Sequence, residues 1–506
     1  MSLVNTSLVS TKYLRRVALI SLCLAVPHLI AAPAFAQPMG LPSMGVASAA
    51  DLPPALEKAL GDVIIAQGRR DPMFVHDAEI NQYLNQMGRK LIRYSSGGST
   101  EIEIFAVRDP QFNAFAMPGG YVGINTGVMA LSDNESELAG VVAHEIAHVT
   151  QRHIARGFTQ QQQSSALMIA SIAGALLAAL TGGAGLAAGV AAFGQAAAID
   201  RQLGFSRDAE KEADRVGLQM LSKAGYDPAG MQSMFSKLMQ AMNLNQGTAG
   251  GNTYLSTHPL SIDRMGDMEN RTRSLAKGSY RDSDAYWYVR ARAAAIQTTD
   301  RATMVRVRDR LLDEATRASG IRRSAAFLAL AEIASRQGNF DQALTDLQQA
   351  QKGVPESPYI IRQQAWVELM RGQPQAAVNL TRSALQRWPE HVALIEVQSH
   401  GLQQLGQFIQ SAELLGRAIK KWPREFPNLY QMQANSLIRA DRPIEGRAAM
   451  AEYYVLTGAY VAAIAQLDQA RQISNDFRVQ STLDVRVREV KQMMAQEREV
   501  LKRFGA

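Results

Sequence analysis

The sequence is poor in cysteine and in aromatic side chains. It has one cysteine among 506 residues, and Phe, Trp and Tyr together make up 7%. A single cysteine excludes a disulfide-stabilised scaffold and a metal site built from thiolates. The formal net charge of +7 is a modest excess and no run of Lys and Arg stands out, so nucleic-acid binding is not predicted. The mean hydropathy of -0.13 argues against a polytopic membrane protein.

The rest of the composition is that of a globular chain with several domains. Hydrophobic residues make up 47% and charged residues 20%, which is too apolar for an intrinsically disordered protein. A single core rarely grows beyond roughly 250 residues. A chain of 506 residues is therefore expected to form two to four domains.

The N-terminus has the three parts of a secretory signal peptide. Basic side chains lie within residues 12–16, an apolar run follows at 17–32, and an Ala-x-Ala sequence ends at Ala36. Residues 1–36 are therefore predicted to be removed on export. An uncleaved membrane anchor is the alternative, but the run is shorter than the roughly 20 residues of a bilayer span and contains Pro27. A mature chain without cysteine fits an oxidising compartment such as a bacterial periplasm.

Residues 37–285 are predicted to form a domain of helices with a small sheet. Apolar residues recur about every 3.6 positions within residues 51–96, as in amphipathic helices, and every second position near residues 101–107, as in a half-buried strand. Pro118 and two glycines separate two further strands. Residues 166–199 are rich in Ala, Gly and Leu and almost free of charge. They predict either a buried or membrane-contacting helical hairpin or a true transmembrane span.

The C-terminal half contains an internal repeat of about 34 residues, the period of tetratricopeptide repeats. Three glycines recur at this period: Gly338, Gly372 and Gly406. Three prolines recur at the same period, half a repeat later: Pro355, Pro389 and Pro423. Small residues lie five positions after each glycine, where two helices of a repeat must approach closely: Ala343, Ala377 and Ser411. Residues 286–500 are predicted to form an α-solenoid of these repeats with flanking helices, the alternative being an unrelated helical bundle.

The chemistry is expected to lie in the sequence His144-Glu145-Ile-Ala-His148, on a helix that begins near Ser132. Histidines four residues apart are separated by about 40° around a helix axis, so both imidazoles can bind one Zn²⁺. Glu145 lies about 100° from His144, where its carboxylate can take a proton from the attacking water. The alternative is a helix surface that carries these residues without a metal.

A catalytic zinc site needs a third protein ligand, and a later helix offers two candidate carboxylates. Four residues share one face of that helix by their spacing: Glu210, Ala213, Asp214 and Gly217. The two small residues would let the helix approach the histidine helix, so that Glu210 reaches the ion and Asp214 accepts a ring N–H from a ligand histidine. The reverse assignment of the carboxylates and a solvated charged helix are the alternatives. His153 is about 180° from the first histidine on a continuous helix and is expected to be a surface or packing residue.

The two motifs together resemble a known family. The His-Glu-x-x-His sequence, followed after an apolar insertion by a helix with Glu-x-x-Ala-Asp, looks like the HtpX and CAAX-prenyl-protease class of zinc metallopeptidases over about residues 51–285. The resemblance implies a zincin-like α+β domain that holds one Zn²⁺ per chain, with Glu145 as the general base. The implied metal ligands are His144, His148 and Glu210. The signal peptide in front and the repeats behind resemble the periplasmic subgroup of this class.

The periplasmic subgroup also suggests a role for His258, in the sequence Ser-Thr-His-Pro. The resemblance implies that this histidine can approach the metal and take the position that the attacking water needs, which would silence the enzyme. A loop histidine held by hydrogen bonds is the alternative. Arg264, six residues later, is a candidate catalytic residue that stabilises the oxyanion, or it fixes the loop in place.

The substrate is expected to lie extended beside the first of the two strands around the Pro-Gly-Gly turn. Asn113, Ala114 and Phe115 could offer an unpaired strand edge that binds the substrate backbone, so that cleavage specificity is loose. Fully paired core strands are the alternative. In the expected reaction Zn²⁺ polarises the scissile carbonyl, and Glu145 passes its proton to the leaving amine.

Partners are predicted from the repeats and from the resemblance. Tetratricopeptide arrays form concave grooves for proteins. The resemblance implies unfolded or stalled outer-membrane proteins as substrates, the outer-membrane barrel assembly complex as a partner, and peripheral membrane contact. The leading prediction is a periplasmic zinc endopeptidase of outer-membrane protein quality control with a chaperone-like role. The alternatives are a chaperone or scaffold whose protease site is mostly blocked, and an integral-membrane protease that uses residues 166–199 as a span.

Overall fold

The computed structural model describes residues 52–95, 101–160, 206–244, 258–275 and 280–503. These ranges contain twenty helices and three strands. The predicted signal peptide, residues 1–36, and the predicted apolar segment, residues 166–199, lie outside the described residues. Within the described ranges, none of the helices combines the length and the apolar character that crossing a membrane requires.

The N-terminal part begins with two helices and a small sheet. Helix α1 spans Pro54–Gly68 and helix α2 spans Ala78–Ile92. The Asp77 side chain caps α2 by accepting a hydrogen bond from the Ile80 amide at 3.0 Å. The strands are β1 (Glu103–Val107), β2 (Ala114–Met117) and β3 (Tyr121–Asn125). A tight turn with two left-handed glycines joins the last two strands, as the Pro-Gly-Gly sequence predicts.

One edge of the sheet has no partner strand among the described residues. Its order is β1-β3-β2, with β3 parallel to β1 and antiparallel to β2, so β1 and β2 are the edge strands. Helix α2 covers the edge of β1. Asn85 Nδ2 donates to the Ile104 carbonyl at 2.7 Å, and Asn85 Oδ1 accepts from the Ile104 amide at 2.9 Å. Among the described residues, β2 is therefore the edge strand whose outer side pairs with no other strand, and its four residues are buried.

Six helices complete the N-terminal part and surround the candidate site. They are α3 (Thr126–Leu131), α4 (Glu135–Thr150), α5 (His153–Gln160), α6 (Arg207–Lys223), α7 (Ala229–Leu244) and α8 (Ile262–Ser274). Helix α4 is buried along nearly its whole length and packs against α6 and α7. A Cβ atom at Gly140 would lie 2.8 Å from the Met231 Cα, and one at Gly217 would lie 3.1 Å from the Ala143 carbonyl oxygen. Glycine thus allows α4 to contact both neighbours closely.

The C-terminal part of the described chain is built from twelve helices. They are α9 (Asp284–Ile296), α10 (Arg301–Arg317), α11 (Gly320–Arg336), α12 (Phe340–Gln351), α13 (Pro358–Met370), α14 (Pro374–Arg387), α15 (Val392–Gln404), α16 (Phe408–Lys421), α17 (Pro427–Arg439), α18 (Pro443–Leu456), α19 (Tyr460–Ile473) and α20 (Phe477–Arg503). From α11 onward, each helix packs against the next one in the chain. The predicted α-solenoid is confirmed in this arrangement of helix pairs.

The 34-residue period has a direct structural cause at the turn inside each pair. Gly338, Gly372 and Gly406 follow the first helix of their pairs and have φ angles of 75°, 74° and 74°, the left-handed conformation that glycine adopts without strain. At the first of them, the Asn339 amide donates to the Ala334 carbonyl at 2.9 Å and closes the helix. The small residues five positions later are fully buried: Ala343, Ala377 and Ser411.

Helix α9 belongs to two hydrophobic cores. Tyr286 and Val289 pack into the core that surrounds α4, whereas Tyr288 and Ala291 pack into the core of the first repeats. The Tyr286 hydroxyl donates to the Ser132 carbonyl at 2.8 Å, and the Tyr288 hydroxyl lies 2.9 Å from Ser324 Oγ on α11. The predicted domain boundary between residues 285 and 286 falls inside this helix, and it stays a prediction.

The repeats also contact the N-terminal part directly. Arg292 on α9 is within 2.6 Å of both Asp77, at the start of α2, and Glu332, on α11. Burial opposes ionisation of Asp77, but the Arg292 guanidinium lowers the pKa of Asp77 to about 2. Gln82 Nε2 donates to the Glu390 carbonyl at 2.6 Å, which joins α2 to the turn before α15. The mainly helical fold with a small sheet and a following solenoid is confirmed, and the solenoid bends back onto α2.

Candidate metal centre

Helix α4 carries the His-Glu-x-x-His sequence deep inside the N-terminal part. Asn134 caps the helix, with its side chain accepting a hydrogen bond from the Glu137 amide at 3.0 Å. His144, Glu145 and His148 are each fully buried. The two histidines lie one turn apart, and their Nε2 atoms are 3.0 Å from each other. Both imidazoles therefore point to the same position, as the spacing predicts.

Helix α6 brings a carboxylate to this position. Ser206 caps the helix by accepting a hydrogen bond from the Ala209 amide at 3.2 Å. Ala213 is fully buried on the face that meets α4. Glu210 on this face has one carboxylate oxygen 3.5 Å from His144 Nε2 and the other 3.5 Å from His148 Nε2. Glu210, rather than Asp214, is thus the carboxylate that the structure brings to both Nε2 atoms.

His258 lies in the same cluster. Its Nδ1 is 2.9 Å from Glu210 Oε1 and 3.3 Å from His144 Nε2, and its Nε2 is 3.7 Å from Glu145 Oε1. Like the other side chains of the cluster, it is fully buried. Ligand-type atoms of His144, His148, Glu210 and His258 all lie within 4.8 Å of one another. Within the described residues the structure therefore brings four potential ligands together.

Asp214 and Arg264 contact the potential ligands from outside the cluster. Asp214 Oδ1 is 3.0 Å from His144 Nδ1, the ring nitrogen opposite Nε2. Arg264 donates from Nε and Nη2 to the two Asp214 oxygens, both at 2.7 Å, and its Nη1 is 2.7 Å from Glu210 Oε2. Nη1 also donates to the Pro259 carbonyl at 2.9 Å. The guanidinium thus contacts both carboxylates and the backbone next to His258.

Burial and neighbouring charges shift the pKa values of the clustered side chains, and for Glu210 and His148 the shifts favour metal binding. Burial acts against ionisation of Glu210, but the His258 and His144 imidazoles hold the pKa of its carboxyl well below the usual range. Burial lowers the pKa of His148 well below its ordinary value. Burial also acts to lower the pKa of His144, but the hydrogen bonds to Asp214 and Glu210 outweigh it and raise the pKa. An ionised Glu210 and a neutral His148 are the protonation states that a metal requires, whereas the raised pKa of His144 favours a proton that metal binding must displace.

Glu145 lies beside the cluster rather than within it. Neither of its buried carboxylate oxygens accepts a hydrogen bond of good geometry from the described side chains. Burial raises the pKa of Glu145, and the His258 and His144 imidazoles act in the opposite direction. A hydrogen bond from the Ala116 backbone also acts to lower the pKa of Glu145, but burial outweighs it. A buried carboxylate with a raised pKa next to a metal position suits a general base.

His153 agrees with the prediction of a packing residue, since it is buried and is not among the four potential ligands, but its predicted position on the opposite face of the histidine helix is wrong. Helix α4 ends at Thr150, and α5 begins at His153 after Arg152, a non-glycine residue with φ of 53°. The chain changes direction at this turn. The buried His153 imidazole therefore contacts α4, with its Nδ1 2.9 Å from His148 Nδ1. An angle computed for a continuous helix does not apply across such a turn.

The predicted substrate strand, β2, lies at the edge of the sheet that has no partner strand among the described residues. The Asn113 carbonyl accepts from the Asn125 amide at 2.9 Å, so Asn113 directs its backbone groups toward β3. Since these groups alternate along an antiparallel strand, Phe115 also faces β3, whereas Ala114 and Ala116 face the outer edge. Strand β2 packs directly on α4, which puts this edge beside the helix of the metal cluster.

The donor set fits zinc. Ligands at about 2.0–2.2 Å from a tetrahedral ion lie roughly 3.3–3.5 Å apart. The 3.0 Å separation of the two Nε2 atoms and the 3.5 Å distances from each to Glu210 are close to these values. Two imidazoles and a carboxylate, with no thiolate, are the ligand types of catalytic zinc sites that keep one position open.

The fold and the site define a metalloendopeptidase, and a comparison with protein families identifies its class. Residues 78–272 match Peptidase family M48 and form a domain of this family. The predicted resemblance to this class of metallopeptidases is confirmed. Over 466 residues, the chain is 29% identical to the beta-barrel assembly-enhancing protease of Escherichia coli strain K12, and the match covers 91% of the chain and 93% of that relative.

Two further relatives match shorter parts of the chain. A putative beta-barrel assembly-enhancing protease of Vibrio cholerae is 38% identical over 259 residues, covering 50% of the chain and 52% of the relative. The mitochondrial metalloendopeptidase OMA1 of Schizosaccharomyces pombe is 30% identical over 187 residues, covering 37% of the chain and 51% of the relative. The similarity to these two relatives thus covers half of the chain or less.

Proposed function

We propose that this chain is a periplasmic zinc endopeptidase that degrades misfolded or stalled outer-membrane proteins and assists their assembly. The observation that carries the proposal is the convergence of His144, His148 and Glu210 with the Glu145 carboxylate beside them. The name and the near full-length match of the Escherichia coli relative support a protease that acts in the assembly of β-barrel proteins. The predicted signal peptide supports export.

In the proposed reaction, the side chains around the ion have separate tasks. The ligands His144, His148 and Glu210 would hold Zn²⁺, which polarises the scissile carbonyl and makes water acidic enough to react near neutral pH. Glu145 takes the proton from the attacking water and delivers it to the leaving amine. Asp214 accepts a hydrogen bond from the Nδ1–H group of His144 and thereby orients that ring.

The contacts of Arg264 favour one of its two predicted roles. Its guanidinium is buried and engaged by Asp214, Glu210 and the Pro259 carbonyl. We therefore propose that Arg264 holds the two carboxylates and the backbone next to His258 in place, rather than contacting the oxyanion of the substrate.

The substrate is proposed to bind as an added strand on β2. The outward backbone groups of Ala114 and Ala116 would pair with an extended chain once this buried edge is uncovered and the Ala116 contact with Glu145 is released. Such pairing does not depend on the side chains of the bound chain. Such recognition suits unfolded proteins of varied sequence. The concave face of the solenoid would hold a longer part of the client or dock on the outer-membrane barrel assembly complex.

His258 is proposed to act as a latch, meaning that its imidazole takes the open position of the metal when it lies as in this structure. Its Nδ1 is 2.9 Å from Glu210 and its side chain fully buried within the cluster. This observation also favours the second candidate function, a chaperone or scaffold whose protease site is mostly blocked. The two functions differ in how often the latch opens.

Removal of the latch is expected to raise proteolysis. His258→Ala should increase the initial rate of casein digestion about tenfold. A tenfold increase corresponds to a free-energy cost of moving His258 off the metal position of about 1.4 kcal/mol, which the substitution removes. Digestion is followed by release of fluorescent peptides from labelled casein. His391→Ala, which removes a buried imidazole in the repeats, is the control. An unchanged rate for His258→Ala would argue against a latch.

The proposed function is tested by metal dependence on a relevant substrate. The purified protein should contain one zinc per chain by elemental analysis and cleave an unfolded outer-membrane protein. A strong chelator should abolish cleavage, and added Zn²⁺ should restore it. Cleavage that survives complete metal removal would contradict the proposal.

A further inference from the structure

A chain of polar contacts extends from the metal cluster away from its centre. It starts at His148, whose Nδ1 is 2.9 Å from Nδ1 of His153. The second ring nitrogen of His153, Nε2, is 3.1 Å from Glu212 Oε2 on α6. Arg156 donates from Nη1 to that same oxygen at 2.8 Å. His153 is almost completely buried, and neither the site motif nor the proposed mechanism uses this chain of contacts.

The position of each proton in this chain follows from chemistry. When His148 binds a metal through Nε2, its Nδ1 carries the ring proton. His153 Nδ1 must then be an acceptor, because two N–H donors cannot face each other at 2.9 Å. The proton of His153 consequently resides on Nε2, which donates to Glu212. Each hydrogen bond thus has a single possible donor: His148 donates to His153, and His153 donates to the Glu212 carboxylate, which also accepts from Arg156.

We propose that His153 is a positioning residue that orients the ligand His148 and fixes its tautomer, with Glu212 and Arg156 holding His153 in turn. The inference rests on the metal site of the proposed function. The ligand His144 contacts the Asp214 carboxylate directly, whereas His148 reaches its carboxylate through an intervening imidazole. Outer partners of this kind orient metal ligands and raise their basicity.

The backbone holds His153 in this position independently of its ring. Arg152, which precedes it at φ of 53°, donates from Nη2 to the Leu52 carbonyl at 2.6 Å and from Nε to Glu57 at 3.0 Å. The left-handed residue is therefore anchored to Leu52, just before α1, and to Glu57 in the first turn of α1. A strained turn held by two contacts is consistent with a position that has a specific task.

The test compares two substitutions of His153 by their zinc affinity. His153→Gln keeps one acceptor and one donor, so its amide can accept from His148 and donate to Glu212. His153→Phe keeps the ring volume but removes both groups. Zinc affinity of the purified full chain is measured by competition with a chelating dye. We expect His153→Phe to bind zinc about 10–100-fold more weakly than wild type, and His153→Gln to stay within about threefold.

Two further variants separate a positioning role from other causes. Unfolding temperatures of the metal-free proteins should be alike for His153→Phe and the control His391→Phe, since each replaces a largely enclosed imidazole that makes a hydrogen bond. Unchanged zinc affinity in His153→Phe, or an equal loss in His153→Gln, would overturn the positioning role. His148→Ala should lose zinc more severely than either. If His148→Ala binds zinc as wild type does, the proposed metal site itself is wrong.

Discussion

The substitution Glu145→Gln is expected to reduce the cleavage of unfolded outer-membrane proteins by about 10²–10⁴-fold, the usual contribution of a general base. The amide has nearly the same shape as the carboxylate but cannot take a proton from water. Glu145 lies next to the cluster, with its Oε1 3.7 Å from His258 Nε2, but it is not one of the four potential ligands, so its replacement leaves the ligand set intact. The rate is measured with purified protein and a quenched-fluorescence substrate.

Metal content serves as the control for Glu145→Gln. The variant should keep one zinc per chain and the unfolding temperature of the wild type, because the ligands and their outer partners are unchanged. Cleavage at the wild-type rate would remove Glu145 from the mechanism. In cells, loss of cleavage together with normal barrel assembly would favour the scaffold function over the protease function.

The second large effect is expected for Glu210→Gln. An amide is a weak zinc ligand, so zinc affinity should fall by more than the roughly 100-fold that the loss of an outer partner can cause, and proteolysis should fall with it. The substitution also removes the negative charge next to Arg264 Nη1, which is 2.7 Å away. Affinity is measured by dye competition and metal content by elemental analysis.

Asp208→Asn is the matched control for Glu210→Gln. Asp208 lies in the first turn of the same helix α6, but it is exposed. The control should bind zinc as tightly as wild type, because a surface charge at this distance is screened by water and salt. Retention of zinc by Glu210→Gln would mean that another carboxylate, such as Asp214, is the third ligand.

The centre of the site could be predicted because its residues are close in sequence on regular helices. A spacing of four places two imidazoles on one helical face, and the spacing of Glu210 from Ala213 and Gly217 predicted which face of α6 meets α4. These arguments use only helical geometry and the size of side chains. The 34-residue period of the solenoid was predictable for a similar reason, since each repeat needs a left-handed turn at the same position.

Other features depend on contacts between distant parts of the chain. The position of His153 depends on where α4 ends, and that end is held by contacts of Arg152 with Leu52 and Glu57, about 100 residues away in sequence. The parallel pairing of β1 with β3 and the contact between Gln82 and the turn before α15 likewise join segments with no local signal. Local spacing cannot reveal such contacts.

Helix α9 has a consequence for how the two halves of the chain depend on each other. A helix with apolar residues on both sides cannot turn about its axis without exposing one set to water, since Tyr286 and Tyr288 are anchored in opposite directions. Neither the peptidase half nor the solenoid has a complete interior without it. A substitution that disturbs the packing of α9 in either core is therefore expected to destabilise both halves, as a single shared unfolding transition would show.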